Sequence, residues 1–500
     1  MPRFAVAPAA LALLFSTTAV SADVTVDDVW ANWREWMQAY DGEITIGTQS
    51  RSGDTLDVEN VAMLMEVPDG EVSATVESIT FIDNGDGTVS VTMAPDYNIK
   101  ISADPADAEA FDMTMRLVQE GMTLLVSGTP DNMKTAMSAD SYGVVVDDVL
   151  AEGVKQPLTL QMMLNDVTGT YDTVKSSGME IDYVLNAANA TIDMDVQEAG
   201  EPGRAVFQST IEALSLTGTS AIPEGGMTDN PAMMLQAGLL GNGGYTFGRS
   251  ASTFSVTESG DTLSGNGSSE GGNLEVSMDQ DGIGYKGVTR GLNMNIQTSD
   301  LPFPLSFAMA EYGFDLLMPM AKSDEPQDFG LALNLSDFTM ADALWNMFDP
   351  GTILPREPAT VSFDIDGKAN WFFDLMDPEQ AAAMEGAEAP GEIHTLALNE
   401  LLVELAGAKL TGDGAFAFDN SDTVTFDGMP RPEGVVTLKL EGGNGLIDKL
   451  ISMGILPEEQ AMGARMMLGL FATPTGDDEL SSKIEVNAEG QVLANGQRLR

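Results

Sequence analysis

The chain has no cysteine among its 500 residues and a single histidine, His394. The first absence excludes thiolate catalysis, cysteine metal sites and disulfide staples, and a chain of this length builds a core without staples. The second excludes histidine-rich zinc and iron centres. Basic residues are also scarce: 23 Lys and Arg stand against 77 Asp and Glu, a formal charge of −54. That balance repels nucleic acid and anionic membrane faces, so no nucleic-acid partner is expected. Aromatic residues make up 7%, which argues against a cleft that stacks sugars. No segment beyond the N-terminal one approaches the length of a membrane-spanning helix.

What is present begins with the N-terminus. Arg3 is followed by an apolar run from Phe4 to Val20, and Val20-Ser21-Ala22 offers small residues before Asp23. This is the pattern of a secretory signal cleaved near Ala22-Asp23. It places the chain in the periplasm or outside the cell. Asp23 to Asp41 then reads as a helix. Val26, Trp30, Trp33, Met37 and Tyr40 fall on one stripe, which Val29 and Trp36 widen. Thr25 or Asp27 is placed to cap it.

Beyond the helix, alternation with period two dominates. Met179, Ile181, Tyr183 and Leu185 alternate with Glu180, Asp182 and Val184; Ile192, Met194 and Val196 alternate with Asp193 and Asp195. Leu274, Val276 and Met278, and then Leu292, Met294 and Ile296, repeat the pattern. Strands with one apolar face belong to antiparallel sheets. No helix-strand alternation suggests a parallel fold. The predicted class is mainly β: long antiparallel strands in one or two curved sheets, a sandwich or an open roll, with peripheral helices at the N-terminus and in the C-terminal half. The glycine- and serine-rich stretch 241–272 predicts strand over 245–256 only. A short helical turn is expected over 105–110 and a short helix over 231–240, and 312–320 reads as either helix or buried strand. The organisation read is a signal over 1–22, a helix plus β-rich domain over 23–300, and a β/helical domain over 301–500 that can be continuous with it.

The stretch from Leu344 to Gly367 is the junction: a helical turn, a proline-braced loop and a strand. Its string LW..FDP...LPR.PAT (Leu344 to Thr360), followed by a strand, resembles a motif of the family called domain of unknown function 2125, found in envelope proteins of alphaproteobacteria. The ending EVNAEGQVLANGQRL (Glu485 to Leu499) is similar to that family's terminal hairpin. The resemblance implies an envelope compartment and a fold style, and it implies no reaction.

Catalytic motifs are weak. Gly267-Ser268-Ser269-Glu270-Gly271 matches G-x-S-x-G, but a nucleophile elbow needs a strand before it and a helix after it. Asp83-Asn84-Gly85-Asp86-Gly87 looks faintly like a calcium loop, yet Gly85 stands where a ligand is required, so it reads as a turn. Carboxylate pairs such as Asp193/Asp195, Asp364/Asp366 and Asp477/Asp478 are expected by chance in so acidic a chain. No cofactor and no metal site is expected. The distinctive feature is methionine, 31 residues, several at inward strand positions. Met179, Ile181, Met194, Met278 and Met294 are the candidate lining of an apolar-ligand groove, since Met adapts to varied apolar partners. The expectation is a non-enzymatic periplasmic protein that binds or moves an apolar ligand such as lipid. The alternatives are a structural or interaction protein with a filled core, whose partner is another envelope protein, and a carboxylate-dependent hydrolase.

Overall fold

A chain whose strands alternate for up to 20 residues must bury one face of a very long sheet or leave it open. The computed structural model describes residues 23–39, 43–67, 70–104, 110–197, 203–224, 231–280, 282–384, 386–387 and 389–500, without the side chains of 36–39 and 378. The segment read as a signal, and the turn expected over 105–110 except for Ala110, lie outside these residues.

Helix α1 (Val26–Ala39) is followed by β1 (Glu43–Ser52), β2 (Thr55–Val67), β3 (Gly70–Asp83), β4 (Val89–Met93), β5 (Asp96–Ala103), β6 (Phe111–Glu120), β7 (Thr123–Thr129), β8 (Asn132–Ala151) and β9 (Val154–Gln156). Then come β10 (Leu158–Lys175), β11 (Gly178–Gln197), β12 (Arg204–Pro223), α2 (Pro231–Gln236), β13 (Leu240–Phe247), β14 (Ser250–Glu258), β15 (Asp261–Ser269), β16 (Gly271–Asp279), β17 (Gly282–Thr298), β18 (Leu305–Met318) and β19 (Gln327–Met340). The rest comprises α3 (Asp342–Phe348), β20 (Ala359–Trp371), α4 (Pro378–Met384), β21 (Gly391–Leu405), β22 (Ala408–Asp419), β23 (Arg431–Glu441), α5 (Gly443–Ser452), α6 (Glu458–Phe471), β24 (Thr473–Gly476), β25 (Glu479–Val486), β26 (Val492–Ala494) and β27 (Gln497–Arg498). The mainly-β class and the helix positions agree with the sequence reading. Segment 312–320 is strand, and the glycine- and serine-rich stretch is strand almost throughout, from β13 to β16.

All 27 strands belong to one antiparallel sheet. A crease crosses it. In the long strands the backbone turns left-handed at one central residue: Asn60 (φ 54), Asp166 (φ 51), Ala213 (φ 51), Gly291 (φ 61) and Asp337 (φ 53). The ladder skips a pair there; Asp166 and Ala213 both fall opposite Ala188 of β11. Other levels break in two at the same line, β4 from β5, β6 from β7 at Gly121 (φ 65), β13 from β14, and β15 from β16 at Gly271 (φ 133).

One residue out of the extended conformation shifts the pleat by one position. Leu56 and Val58 point inward before Asn60, and Val61 is the buried residue after it. The same face thus stays inside on both sides of the crease, and the sheet folds into a trough with two walls. The first wall contains β5, β6, β14 and β15; the second contains β4, β7, β13 and β16.

The closed end shows how the walls face each other. Val26, Val29 and Trp30 of α1 are buried among Leu56, Val58, Phe81 and Val91 of the second wall, and among Val61, Ile44, Ile46 and Val76 of the first. The helix therefore fills the trough at the β1–β8 end. Thr25 caps it in a reciprocal pair: its Oγ1 accepts from the Asp28 amide at 3.3 Å, and its own amide donates to Asp28 Oδ2 at 3.0 Å. Farther along, Leu164 and Tyr142 from the first wall and Leu185 and Leu214 from the second meet on Ala139, Val167 and Ala187 at the crease. At the other end, Trp345 of α3, Leu354 and Ala406 pack with Met340 and with Leu446, Leu450 and Met453.

Between these two plugs the inner face is not sealed. From β12 to β19, among the described residues, Ile222 is the one apolar strand residue beyond glycine that is buried.

Candidate functional site

The trough is the one feature that gathers the candidate residues. Met179 and Ile181 lie on β11 and Met278 on β16, all on the second wall. Met194, also on β11, and Met294, on β17, lie on the first wall. The registers Met179↔Ile222, Ile181↔Ser220, Met194↔Phe207, Met278↔Gly241 and Met294↔Gly267 place all five on the inner face. They do not form a single pocket. Ile181 is buried and the four methionines are half-buried, and Met194 and Met294 are separated by four strand spacings, about 19 Å.

The inner face has a finer design. Six aromatic residues stand directly opposite a glycine on the neighbouring strand: Tyr183/Gly218, Phe247/Gly272, Phe254/Gly265, Phe314/Gly287, Phe329/Gly367 and Phe416/Gly434. In each the ring lies over the glycine, so that a Cβ there would collide with it, at 2.6 to 2.9 Å from the nearest ring atom in the last five. Flat rings over bare backbone give a smooth apolar surface, and they screen the glycine from water. Between its rims, from β2 to β20, this face carries no Asp, Glu, Lys or Arg among the described residues. The polar atoms present are hydroxyls and amides. Tyr97 and Tyr142 share a hydrogen bond of 3.2 Å, and burial, with Tyr142 beside it, pushes the Tyr97 phenol up, so it stays protonated.

Away from the rims, where Lys175 pairs with Glu35 of α1, charge lies on the other face, laddered across strands. Arg204 holds Asp195 in a two-point pair at 2.9 and 2.6 Å and pulls its carboxyl below the usual range. Gln208 donates to Asp193 at 2.8 Å. Lys286 pairs with Asp315 at 3.0 Å and Lys368 with Asp328 at 2.6 Å. The carboxylate pairs Asp193/Asp195 and Asp364/Asp366 are thus engaged away from the trough. Asp364 and Asp366 accept from Asn399, and Asp478 accepts the amides of Asn444 and Gly445 at the start of α5. No group of three or more His, Cys, Asp or Glu able to hold a metal occurs among the described residues.

The hydrolytic constellation is not assembled. Ser269 ends β15 and is followed by strand β16, and its hydroxyl bonds that of Ser250 at 2.7 Å. His394 lies on β21, five strand spacings or about 24 Å away across the sheet, with Nε2 2.6 Å from Asn370 Oδ1. Segment Asp83–Gly87 is a turn: Asp83 accepts the Gly85 amide and Asp86 the Thr88 amide.

One hollow of the trough was not legible in the sequence. A hollow of about 470 Å³ lies beside α1, lined by Asn32, Trp33, Leu124, Met137, Tyr171, Tyr183 and Leu185 among others. Its residues come from α1, β7, β8, β10 and β11, and only the strand pairing brings them together. The Trp33 side of α1 was marked by its helical stripe; Asn32 had no sequence signal.

The junction motif proves architectural. Asp349 is 1% exposed and accepts the amides of Ile353 at 2.9 Å and Leu354 at 3.0 Å. Arg356 lies over the Trp345 ring at 5.8 Å and donates to Asp342, Asn346 and the Asp349 carbonyl. The residues that carry the family resemblance build a clamp at the end of the trough, and the terminal hairpin follows as β25 and β26.

Residues 248–496 match the family model described as an uncharacterized protein conserved in bacteria, domain of unknown function 2125. No curated protein matches the chain.

Proposed function

The chain belongs to the bacterial family of domain of unknown function 2125 through residues 248–496, and on that footing we propose a non-enzymatic cell-envelope protein that holds or conveys an apolar ligand, a lipid, along its trough. The observation that carries this reading is the half-exposed, charge-free inner face from β10 to β19. Tyr245, Leu263, Tyr285, Tyr312 and Leu331 on that face are each 38 to 41% exposed. A sheet this apolar on one side needs a cover, and a flexible hydrocarbon chain matches a smooth surface of rings and methionines better than a fixed side-chain partner does. The apolar run ahead of Asp23 supports a periplasmic setting. A filled-core interaction protein would hide these residues under a second layer of its own chain.

The test is mass spectrometry of organic extracts from protein purified without detergent, together with uptake of a fluorescent acyl probe. Co-purifying lipid or saturable uptake is expected. Clean extracts together with no uptake would overturn the reading and favour the interaction protein, which a stoichiometric envelope partner in a pull-down would then identify.

A further inference from the structure

Beside α1 the trough comes to an end that suits only hydrocarbon. The hollow of about 470 Å³ there has no charged lining residue, and its surface is almost entirely carbon. A head group buried in it would lose its water without gaining partners, whereas each methylene moved there from water is favourable. The back wall is firm. Trp33 meets Phe81 edge-on, with ring centroids 5.4 Å apart, and behind them stands the buried core of Trp30, Leu56 and Val58. A chain that arrives from β11 therefore meets a stop at α1.

The way in is also laid out. One row of facing residues leads from the hollow across the second wall: Tyr183, Gly218, Gly243, Val276, Tyr285 and Leu316, each opposite the next. All are uncharged and all lie on the inner face. The Tyr183 ring covers Gly218 and its hydroxyl end reaches Gly243, where a Cβ would stand 3.1 Å from it. From β11 to β13 the floor is thus ring and bare backbone. The row spans five strand spacings, about 24 Å, against the ~15 Å that one acyl chain spans in half a bilayer. A chain whose end reaches the hollow fits within the row, and its head falls about three spacings away, over β16. Water reaches the face there, since Tyr245 and Tyr285 on either side are 39% and 41% exposed.

Resting on the proposed function, we infer that the hollow beside α1 seats the methyl end of an acyl chain. The ligand lies tail-first toward α1, its chain follows the row from Tyr183, and its head stays over β16 at the open mouth. The protein then measures the chain against a fixed stop and leaves the head in water.

The test uses the delipidated full chain and two lysophosphatidylcholines, brominated either beside the head or at the end of the chain. Bromine quenches tryptophan on contact, and the share due to Trp33 is the difference from Trp33→Phe. Terminal bromine is expected to remove the Trp33 emission, and bromine beside the head to leave it. In an unbrominated saturated series, affinity should rise about fourfold per added methylene and level off once the chain reaches the stop. Thr135 of β8 lines the hollow opposite Tyr171, so Thr135→Phe fills part of it and should bring the plateau at a shorter chain. Leu124→Trp fills it from β7 and serves where the first variant does not fold. Equal quenching from both bromine positions, or more from beside the head, would overturn the inference. So would a plateau that stays in place in a folded variant. If no probe binds at all, the trough reading itself has failed; if probes bind and terminal bromine leaves Trp33 bright, only the present inference has.

Discussion

Glycine and its aromatic partner are the smallest working unit of this protein. Gly287 leaves room for the Phe314 ring, since a Cβ there would come within 2.7 Å of it. The sequence shows each glycine only as a weak point in a strand, and the rule that interior glycine weakens strands points the wrong way here. This is why 241–272 read as strand in one short piece, although it contributes four strands. The pairing of ring with glycine depends on register, which no local pattern reveals. Asp349 is the opposite case: its FDP string was visible and so was its place at a helix stop, but the depth of its burial was not. Asp349→Ala would leave the amides of Ile353 and Leu354 without an acceptor and should destabilise by about 2–4 kcal/mol, with Asp349→Asn intermediate because one carbonyl acceptor survives. Urea unfolding of the three proteins reads this directly. Equal midpoints would mean that the clamp at the trough's end is incidental.

Strands here are defined by where they bend. Alternation through 179–185 and again through 192–196 was legible, and so was the fact that the inward set changes from odd to even numbers between them. That change marks the crease, and the structure supplies its cause in the left-handed residues of β10 and β12 opposite Ala188. Asn60, Asp166 and Asp337 are residue types that tolerate this conformation, and Gly291 adopts it freely. Ala213 is the exception, held at φ 51 by its neighbours. Left-handed backbone costs an alanine about 1–2 kcal/mol, and glycine gives back about 0.5–1 kcal/mol of that through its greater freedom in the unfolded chain. Ala213→Gly should therefore hold or raise the thermal midpoint, and Ala213→Val should lower it by several degrees. If glycine proved the more damaging of the two, the bend at β12 would have another origin. Helix α1 was legible from its stripe, but its place between the walls was not. An amphipathic helix carries no mark of which surfaces it will meet.

Taken whole, the molecule is an open sheet with its charge on one side. Mainly-β class and one-faced strands were legible in the alternation; that one sheet runs from β1 to β27 depends on pairings between distant segments. The outer ladder sets the response to acid. Hydrogen bonds from Arg204 and Arg116 hold the Asp195 and Asp147 carboxyls below the ordinary carboxylate range. Groups with lowered folded values stabilise fully above the unfolded value of about 4, and that contribution disappears as pH falls through the folded value. Thermal midpoints should accordingly fall below about pH 4, and Asp195→Asn should flatten part of the fall; an unchanged profile would show the ladder to be ornamental. The most direct test of the central claim uses the absence of cysteine. Met294→Cys and Asn293→Cys, labelled one at a time with a polarity-sensitive dye, report adjacent positions on opposite faces of β17. The account expects an apolar signal at 294 that shifts further when a single-chain lipid is added, and a watery, unresponsive signal at 293. The same polarity at both positions, or a lipid response at 293 alone, would contradict it.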